Sequence, residues 1–103
     1  MKSIMIVDNE KNVLDEVKKI LEKDDFNVIT AENSRKAFEI MDTNKEDNIS
    51  LILINSLIPN TQTPALFSMK PSKKKDIDTT KKDDFLQKPF TREQLMDFVK
   101  KKL

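Results

Sequence analysis

The sequence of 103 residues contains no glycine, cysteine or histidine. Without cysteine it can form neither a disulfide nor a thiolate metal site, and it has no thiol nucleophile. Without histidine it lacks the commonest general base and metal ligand, which excludes most hydrolase and metalloenzyme mechanisms. Without glycine, neither a dinucleotide-binding fingerprint nor a phosphate-binding P-loop can be written. These absences favour a binding protein over an enzyme.

Charge of one sign and long apolar runs are also lacking. Nineteen basic and eighteen acidic residues leave a formal charge of +1, so no overall field points to nucleic acid or to an anionic membrane. The apolar run at 4–7 is too short for a signal-peptide core, and no run approaches the roughly 20 residues that cross a bilayer. The length suits one compact core, so we expect a single domain over residues 1–103. Because neither a signal-peptide core nor a membrane-spanning run is found, we expect this domain to be cytoplasmic.

Strand-like and helix-like patterns alternate along the chain. Four segments predict strands: the continuous apolar runs 3–7 and 51–54, and the shorter segments 27–30 and 84–87. Three segments predict amphipathic helices: 11–23, one capped by Asn33 or Ser34 that buries Ala37, Phe38, Ile40 and Met41, and one opened by a capping box of Thr91 and Gln94. This alternation predicts an α/β fold, with parallel strands in one sheet and helices on both of its faces.

The segment 56–83 permits two interpretations. In one, residues 63–70 form a short helix; in the other, residues 65–69 form a strand. A strand parallel to its neighbour would leave only residues 56–64 for the crossover, and parallel connections usually take about a dozen residues or more. We therefore predict the helix, followed by a mobile lysine-rich loop at 72–82, and a sheet of four strands.

Three segments together resemble the receiver domain of two-component response regulators. Residues 4–10 are similar to the family's apolar strand and acidic pair, and residues 51–59 to the strand that ends in its phosphorylated aspartate. Residues 83–90 are similar to the last strand, with its lysine and a proline that often follows a cis bond. The resemblance implies a flavodoxin-like fold and a role in signal transduction. The short stretch between Pro59 and Lys88 implies that one strand-helix unit is lost.

The same resemblance places Asn55 at the phosphoacceptor position. In the family, an acidic pair and the acceptor aspartate hold Mg²⁺, because a hard cation needs oxygen ligands and phosphoryl transfer needs charge neutralised. The matching residues here are Asp8, Asn9 and Asn55, so two of the three formal negative charges are absent. The resemblance therefore implies a degenerate receiver that is not phosphorylated and that binds Mg²⁺ weakly or not at all.

Three further positions carry over from the resemblance. Lys88 matches the lysine that pairs with the phosphoryl group, and here we expect it to form an ion pair with Asp8. Phe85 stands where the family has its switch aromatic. Ser68 would supply the switch hydroxyl if residues 65–69 form a strand.

Simpler structural roles compete with these assignments. Short polar residues favour helix N-termini, so Asp8 and Asn9 are expected to cap the first helix. Asn55 is expected to satisfy backbone groups at the end of its strand.

The missing strand-helix unit also predicts exposed apolar surface. We expect an interaction surface that consists of Leu57, Ile58, Leu66, Phe67 and Met69. The sequence thus favours a phosphorylation-independent interaction or modulator module. Its partner would be a histidine kinase, another regulator or a second copy of the chain in a homodimer.

Two other functions stay open at this point. One is an active phosphoacceptor response regulator. The other is a small nucleic-acid-binding protein that uses the lysines at 70, 73–75, 81 and 82. Aspartates dilute that cluster, and no aromatic residue in it offers a base-stacking platform.

Overall fold

The computed structural model describes residues 2–43, 49–71 and 84–103, apart from the side chain of Thr43. Within these residues, five strands and three helices follow in the order β1 (Ser3–Val7), α1 (Lys11–Glu22), β2 (Asn27–Ala31), α2 (Ser34–Thr43), β3 (Ile49–Leu57), β4 (Pro64–Met69), β5 (Asp84–Gln87) and α3 (Arg92–Lys102). No helix in this part of the chain has the length and apolar character needed to cross a bilayer.

The strands form one mixed sheet in the order β2-β1-β3-β4-β5. β1 pairs in parallel with β2 and with β3, whereas β4 is antiparallel to both β3 and β5. Only β4 is therefore reversed, and β5 again runs in the direction of β1. All five residues of β1 are buried, as expected for a strand covered on both faces. The predicted α/β fold is confirmed.

The prediction for the segment after β3 is wrong in two respects. Residues 64–69 form strand β4 and not a helix, and the sheet has five strands and not four parallel ones. The length argument assumed a parallel neighbour, which needs a long crossover. An antiparallel neighbour needs only a hairpin, and residues 58–63 suffice for it. The loop predicted at 72–82 lies outside the described residues.

The hairpin turn between β3 and β4 takes backbone conformations that usually favour glycine. Ile58 N–H donates to the carbonyl of Thr63 at 2.8 Å, which closes the turn. Within it, Asn60 has φ of 73° and Gln62 has φ of 55°. Asparagine tolerates the left-handed region because its short side chain bonds locally, but glutamine has no such compensation. A chain without glycine therefore carries backbone strain at Gln62.

Replacing Gln62 with glycine is expected to stabilise the fold by about 0.5 to 1 kcal/mol. The β-carbon costs roughly 1–2 kcal/mol in the left-handed region, and the greater freedom of glycine in the unfolded chain offsets part of that gain. Urea denaturation of Gln62→Gly beside Asn60→Gly measures the effect, with a smaller gain expected at position 60. A Gln62→Gly protein less stable than the wild type would contradict the assigned turn.

Helices cover both faces of the sheet, as predicted. On one face, α1 and α3 pack against β1, β3 and β4 in a core of Ile4, Ile6, Leu14, Val17, Leu21, Val28, Leu51, Leu53, Leu66, Leu95, Phe98 and Val99. On the other face, α2 packs in a core of Met5, Val7, Ala31, Ala37, Met41, Ile52, Ile54, Ala65, Phe67 and Met69. The expectation that α2 buries Phe38 is wrong, since 44% of this residue is exposed. Ala37 and Met41 form the inner stripe, which turns Phe38 outward.

The predicted capping box at the start of α3 is confirmed. Gln94 N–H donates to Thr91 Oγ1 at 3.1 Å, and Thr91 N–H donates to Gln94 Oε1 at 2.9 Å. This reciprocal pair satisfies two backbone donors that a helix start leaves without partners. It fixes the N-cap of α3 three residues after Lys88, which follows β5.

An ion pair joins the end of α3 to the start of β5. Lys102 Nζ lies 3.2 Å from Asp84 Oδ2. The backbone N–H of Phe85 lowers the pKa of Asp84 below its usual value, and Lys102 lowers it further. Because the pKa of Asp84 is lower in the folded than in the unfolded chain, ionised Asp84 stabilises the fold at pH values above the ordinary pKa of a carboxyl group. That contribution is lost as the pH falls through the folded pKa.

Candidate functional site

Polar residues at or near the carboxyl ends of three neighbouring strands meet at one edge of the sheet. Val7 pairs with Ala31 on one side and with Ile54 on the other, so the next residues in the chain are Asp8, Glu32 and Asn55. They border a cleft of about 240 Å³, hereafter the Asn55 cleft, lined by Val7, Asp8, Asn9, Glu32, Asn33, Ser34, Ile54 and Asn55. Open α/β sheets commonly bind ligands at this carboxyl edge of their parallel strands.

A buried ion pair lies at the same edge. Because β5 runs parallel to β1, Lys88 also follows a strand end here, and its Nζ lies 2.8 Å from Asp8 Oδ2. The Asp8 side chain is fully buried, and that of Lys88 is 15% exposed. The other oxygen, Asp8 Oδ1, accepts the backbone N–H of Glu10 at 3.0 Å. Both carboxylate oxygens of Asp8 therefore already have a donor.

The expected capping of α1 by Asp8 and Asn9 is wrong. The N-cap of α1 is Glu10, and its side chain makes no capping hydrogen bond. Asp8 Oδ2 binds Lys88, and Asp8 Oδ1 accepts the backbone N–H of the N-cap residue Glu10 and not that of a residue inside the helix. Asn9 is exposed and lines the cleft.

Asn55 does not play the structural role expected at the end of its strand. Its Oδ1 atom is buried from solvent and has no hydrogen-bond partner among the described residues. An acceptor shielded in this way costs about 1–3 kcal/mol relative to one that is satisfied. The Asn55 side chain also lines the cleft, so the unsatisfied acceptor belongs to a residue of the candidate site.

Ser68 lies away from the cleft. In the sheet, Ser68 pairs with Leu53, whereas Asn55 pairs with Leu66. Ser68 is therefore two residue pairs away from Asn55 along the β3–β4 ladder. Its hydroxyl is buried and donates to the carbonyl of Asp84 at 3.4 Å. The strand interpretation placed Ser68 at the site only on the assumption of a parallel β4. Because β4 runs the other way, its first residues, and not its last ones, reach the cleft edge.

Phe85 packs against Phe67 across β4 and β5. Their ring centroids are 5.3 Å apart with planes inclined at 42°, a favourable tilted arrangement. Phe85 nevertheless remains 41% exposed. The pair lies on the same face of the sheet as α2, since Phe67 belongs to the core on that face.

The predicted five-residue apolar surface is largely buried. Leu57 is 53% exposed and Ile58 is partly buried, but Leu66, Phe67 and Met69 are at most 7% exposed. The reason is that the latter three lie in β4, an inner strand with β3 and β5 on either side. Of the lysines considered for nucleic acid, Lys70 donates to the carbonyl of Ser50 at 3.4 Å, and those at 73–75, 81 and 82 lie outside the described residues.

Glu32 is a site residue that the sequence interpretation missed. It follows β2 just as Asp8 follows β1, so its position at the same edge was implied by the parallel pairing. The predicted strand ended at residue 30, one residue before the end of β2, so Glu32 did not come directly after it. An acidic residue at the end of a strand, as Asp8 follows β1, is the signal that could have identified Glu32.

Sequence comparison finds relatives among bacterial regulators. The "Transcriptional regulatory protein CpxR" of Escherichia coli strain K12 is 27% identical over 114 aligned positions, which cover 93% of this chain and 47% of that protein. The proteins of the same name from Escherichia coli O157:H7 and Shigella flexneri match to the same extent. The chain therefore spans about half the length of these curated relatives. No family model matches the chain, and no solved structure matches it either.

The strand order agrees with this similarity. The order β2-β1-β3-β4-β5 is that of flavodoxin-like folds, and only the direction of β4 differs. The chain is thus a weak homologue of a response regulator, with an α/β fold compatible with that of receiver domains.

Proposed function

We propose that the chain is a single, degenerate receiver-like domain that acts in signal transduction by binding other proteins, independently of phosphorylation. The observation that carries this proposal is a neutral amide, Asn55, beside the Asp8–Lys88 ion pair, at the position that the resemblance to receiver domains aligns with the phosphoacceptor. The response-regulator homology supports the signalling role. The absence of phosphorylation is inferred from the chemistry of the cleft.

The chemistry of Asn55 is unsuited to phosphoryl transfer. A carboxylate attacks phosphorus through a charged oxygen, whereas the oxygen of a neutral amide is a poor nucleophile. Asp8 cannot substitute for it, because both of its carboxylate oxygens accept hydrogen bonds within the protein. The domain is therefore proposed to carry out no reaction of its own.

The residues of the cleft also do not fit Mg²⁺. This ion demands near-ideal octahedral coordination by oxygen and is usually held by one or two carboxylates. Asp8 is committed to Lys88 and to a backbone N–H, and Asn9 and Asn55 offer only neutral amides. Among the residues that line the cleft, Glu32 alone is left to supply a carboxylate. Within residues 2–43, 49–71 and 84–103, no three acidic, cysteine or histidine side chains cluster as a metal site would require. We therefore propose that the cleft binds Mg²⁺ weakly or not at all.

The partner is proposed to be a protein of a cytoplasmic signalling pathway: a histidine kinase, another regulator or a second copy of the chain. Recognition would then depend on shape and charge that are present without modification. The near-neutral overall charge favours a local contact over long-range electrostatic attraction.

Titration with Mg²⁺ and beryllofluoride, followed by ¹⁵N–¹H NMR, tests the proposal. We expect no saturable shift of the amide signals of Asp8, Asn55 and Lys88. A stoichiometric complex, with shifts concentrated on these residues, would refute phosphorylation independence. A receiver domain that has an aspartate acceptor serves as the positive control.

Restoring the acceptor alone is expected not to restore a switch. Asn55→Asp would supply a nucleophile, but Asn9 would still leave the cleft without the second carboxylate of the acidic pair. Ser68, the candidate switch hydroxyl, lies two residue pairs from position 55 on the antiparallel strand β4. Sedimentation velocity before and after treatment with acetyl phosphate should therefore give the same mass for Asn55→Asp. If this variant is phosphorylated and changes its oligomeric state, the switch has survived and the proposal fails.

A further inference from the structure

We propose that the outer edge of β5 is a pairing surface for β5 of a second copy of the chain, and that Asp84 restrains this pairing. The inference goes beyond the proposed function, because it concerns main-chain groups of an edge strand and does not depend on the chemistry of the Asn55 cleft. Three observations carry it: the hydrogen bonds of β5, the contacts of Asp84 and the exposure of Phe85.

The outer edge of β5 presents main-chain groups that the sheet does not use. β5 has β4 on one side and no described strand on the other. Lys88 N–H donates to the carbonyl of Pro64 at 3.0 Å, which makes this a hydrogen-bonded pair of the antiparallel ladder. Because bonded pairs alternate with unbonded ones, the main-chain groups of Phe85 and Gln87 point away from β4. Such an edge is a template for another strand.

Asp84 occupies one of these outward groups. Its Oδ1 atom accepts the N–H of Phe85 at 2.8 Å, and its Oδ2 atom lies 3.2 Å from Lys102 Nζ at the end of α3. The first contact takes from the edge a donor that a neighbouring strand would use. The carbonyl of Phe85 and both main-chain groups of Gln87 form no hydrogen bond with the described residues. Of the outward groups on these two residues, only the Phe85 N–H is therefore blocked.

A second β5 fits this edge in the antiparallel orientation. With Leu86 facing its own copy across a two-fold axis, Phe85 of each chain lies opposite Gln87 of the other. Each such pair exchanges two main-chain hydrogen bonds, and one of the two uses the N–H that Asp84 holds. The Phe85 ring, which is 41% exposed, then lies beside the added strand and loses contact with solvent.

The two-fold arrangement also favours β5 over the other edge strand as the occupant. Pairing of β5 with β5 covers the same edge of both copies at once and ends at a dimer. Pairing of β5 with β2, the opposite edge of the sheet, would leave one free edge of each kind and build an open chain of copies. A discrete dimer is therefore the expected product.

The test compares the self-association of the wild-type chain and Asp84→Ala by sedimentation velocity over a series of concentrations. Asp84→Ala frees the Phe85 N–H in both copies. We expect it to strengthen dimerisation at least about tenfold, as two added hydrogen bonds of ordinary strength would. Amide hydrogen exchange at Gln87 should slow on dimerisation, since its N–H becomes bonded. Asp97→Ala, which removes an exposed carboxylate of α3, should associate as the wild type does.

Gln87→Pro blocks the proposed pairing specifically. The Gln87 N–H points away from β4, so proline removes an intermolecular donor without breaking the ladder inside the sheet. The double variant Asp84→Ala with Gln87→Pro should therefore associate no more strongly than the wild type. Asp84→Thr, which lacks the carboxylate and suits a strand, repeats the test with a second side chain at position 84.

Three results would overturn the inference. They are equal association of the wild type and both variants at position 84, dimerisation that persists in the double variant, and growth beyond a dimer. None of these measurements involves a phosphoryl group or the Asn55 cleft. A negative result therefore rejects the β5 pairing alone and leaves the proposed independence from phosphorylation to its own test.

Discussion

Lys88→Met is expected to destabilise the fold by about 3 kcal/mol, because it leaves the carboxylate of Asp8 buried without its cation. The Asp8 side chain is fully buried, and the Nζ–Oδ2 distance of 2.8 Å is that of a charge-assisted hydrogen bond. Methionine keeps much of the lysine stem, so the packing of the chain between β5 and α3 changes little. Urea denaturation at neutral pH measures the loss.

Two control variants separate the buried charge from general damage. Lys100 forms an ion pair with Asp24 at 3.3 Å in which both side chains are about half exposed, so Lys100→Met should cost less than about 1 kcal/mol. The double variant Asp8→Asn with Lys88→Met removes both charges and should be more stable than Lys88→Met alone. A double variant as unstable as the sum of the two single variants would contradict the assigned ion pair.

Leu66→Ala is expected to destabilise the fold by about 3 kcal/mol. Leu66 is fully buried at the centre of β4, in the core that α1 and α3 cover. Truncation of a buried leucine loses its transfer free energy and leaves a cavity, which together cost about 2–5 kcal/mol. Denaturant unfolding monitored by far-UV circular dichroism measures the effect.

Leu57→Ala provides the matched control for Leu66→Ala. Leu57 belongs to the other strand of the same hairpin but is 53% exposed, so its truncation should cost less than about 1 kcal/mol. Equal costs at the two positions would mean that residues 64–69 are not an inner strand. The comparison therefore tests whether β4 lies inside the sheet, between β3 and β5.

The elements that the sequence predicted are those whose pattern is decided locally. A continuous apolar run is sufficient to indicate β1 and the centre of β3, because a strand buried on both faces has no polar side. Thr91 and Gln94 identify the start of α3, because their capping box involves only neighbouring residues.

The direction of β4 could not be predicted from its own residues. The segment Pro64–Met69 is apolar apart from Ser68, so its composition fits a short helix as well as a buried strand. The choice depended on the connection before it. There, Pro59 followed by Asn60 is typical of a turn and is compatible with a hairpin. The prediction considered only a parallel neighbour and did not use this signal.

The sequence predicted those site residues whose positions are set by the pairing of neighbouring strands. The juxtaposition of Asp8 and Asn55 follows from parallel pairing of β1 with β3, and Lys88 joins them because β5 runs the same way. Whether the Asn55 amide finds a partner depends on how side chains from several elements pack, which no local pattern contains. The buried acceptor was therefore unpredictable from the sequence, although Glu32 was not.

Treatment of the wild-type chain with acetyl phosphate and Mg²⁺, followed by intact mass measurement and peptide mapping, tests the central claim most directly. A cleft with a neutral amide at position 55 and with Asp8 committed to Lys88 should take up no phosphoryl group, so we expect an unchanged mass. A stoichiometric phosphoryl adduct that maps to the peptide containing Asn55 or Asp8 would contradict phosphorylation independence.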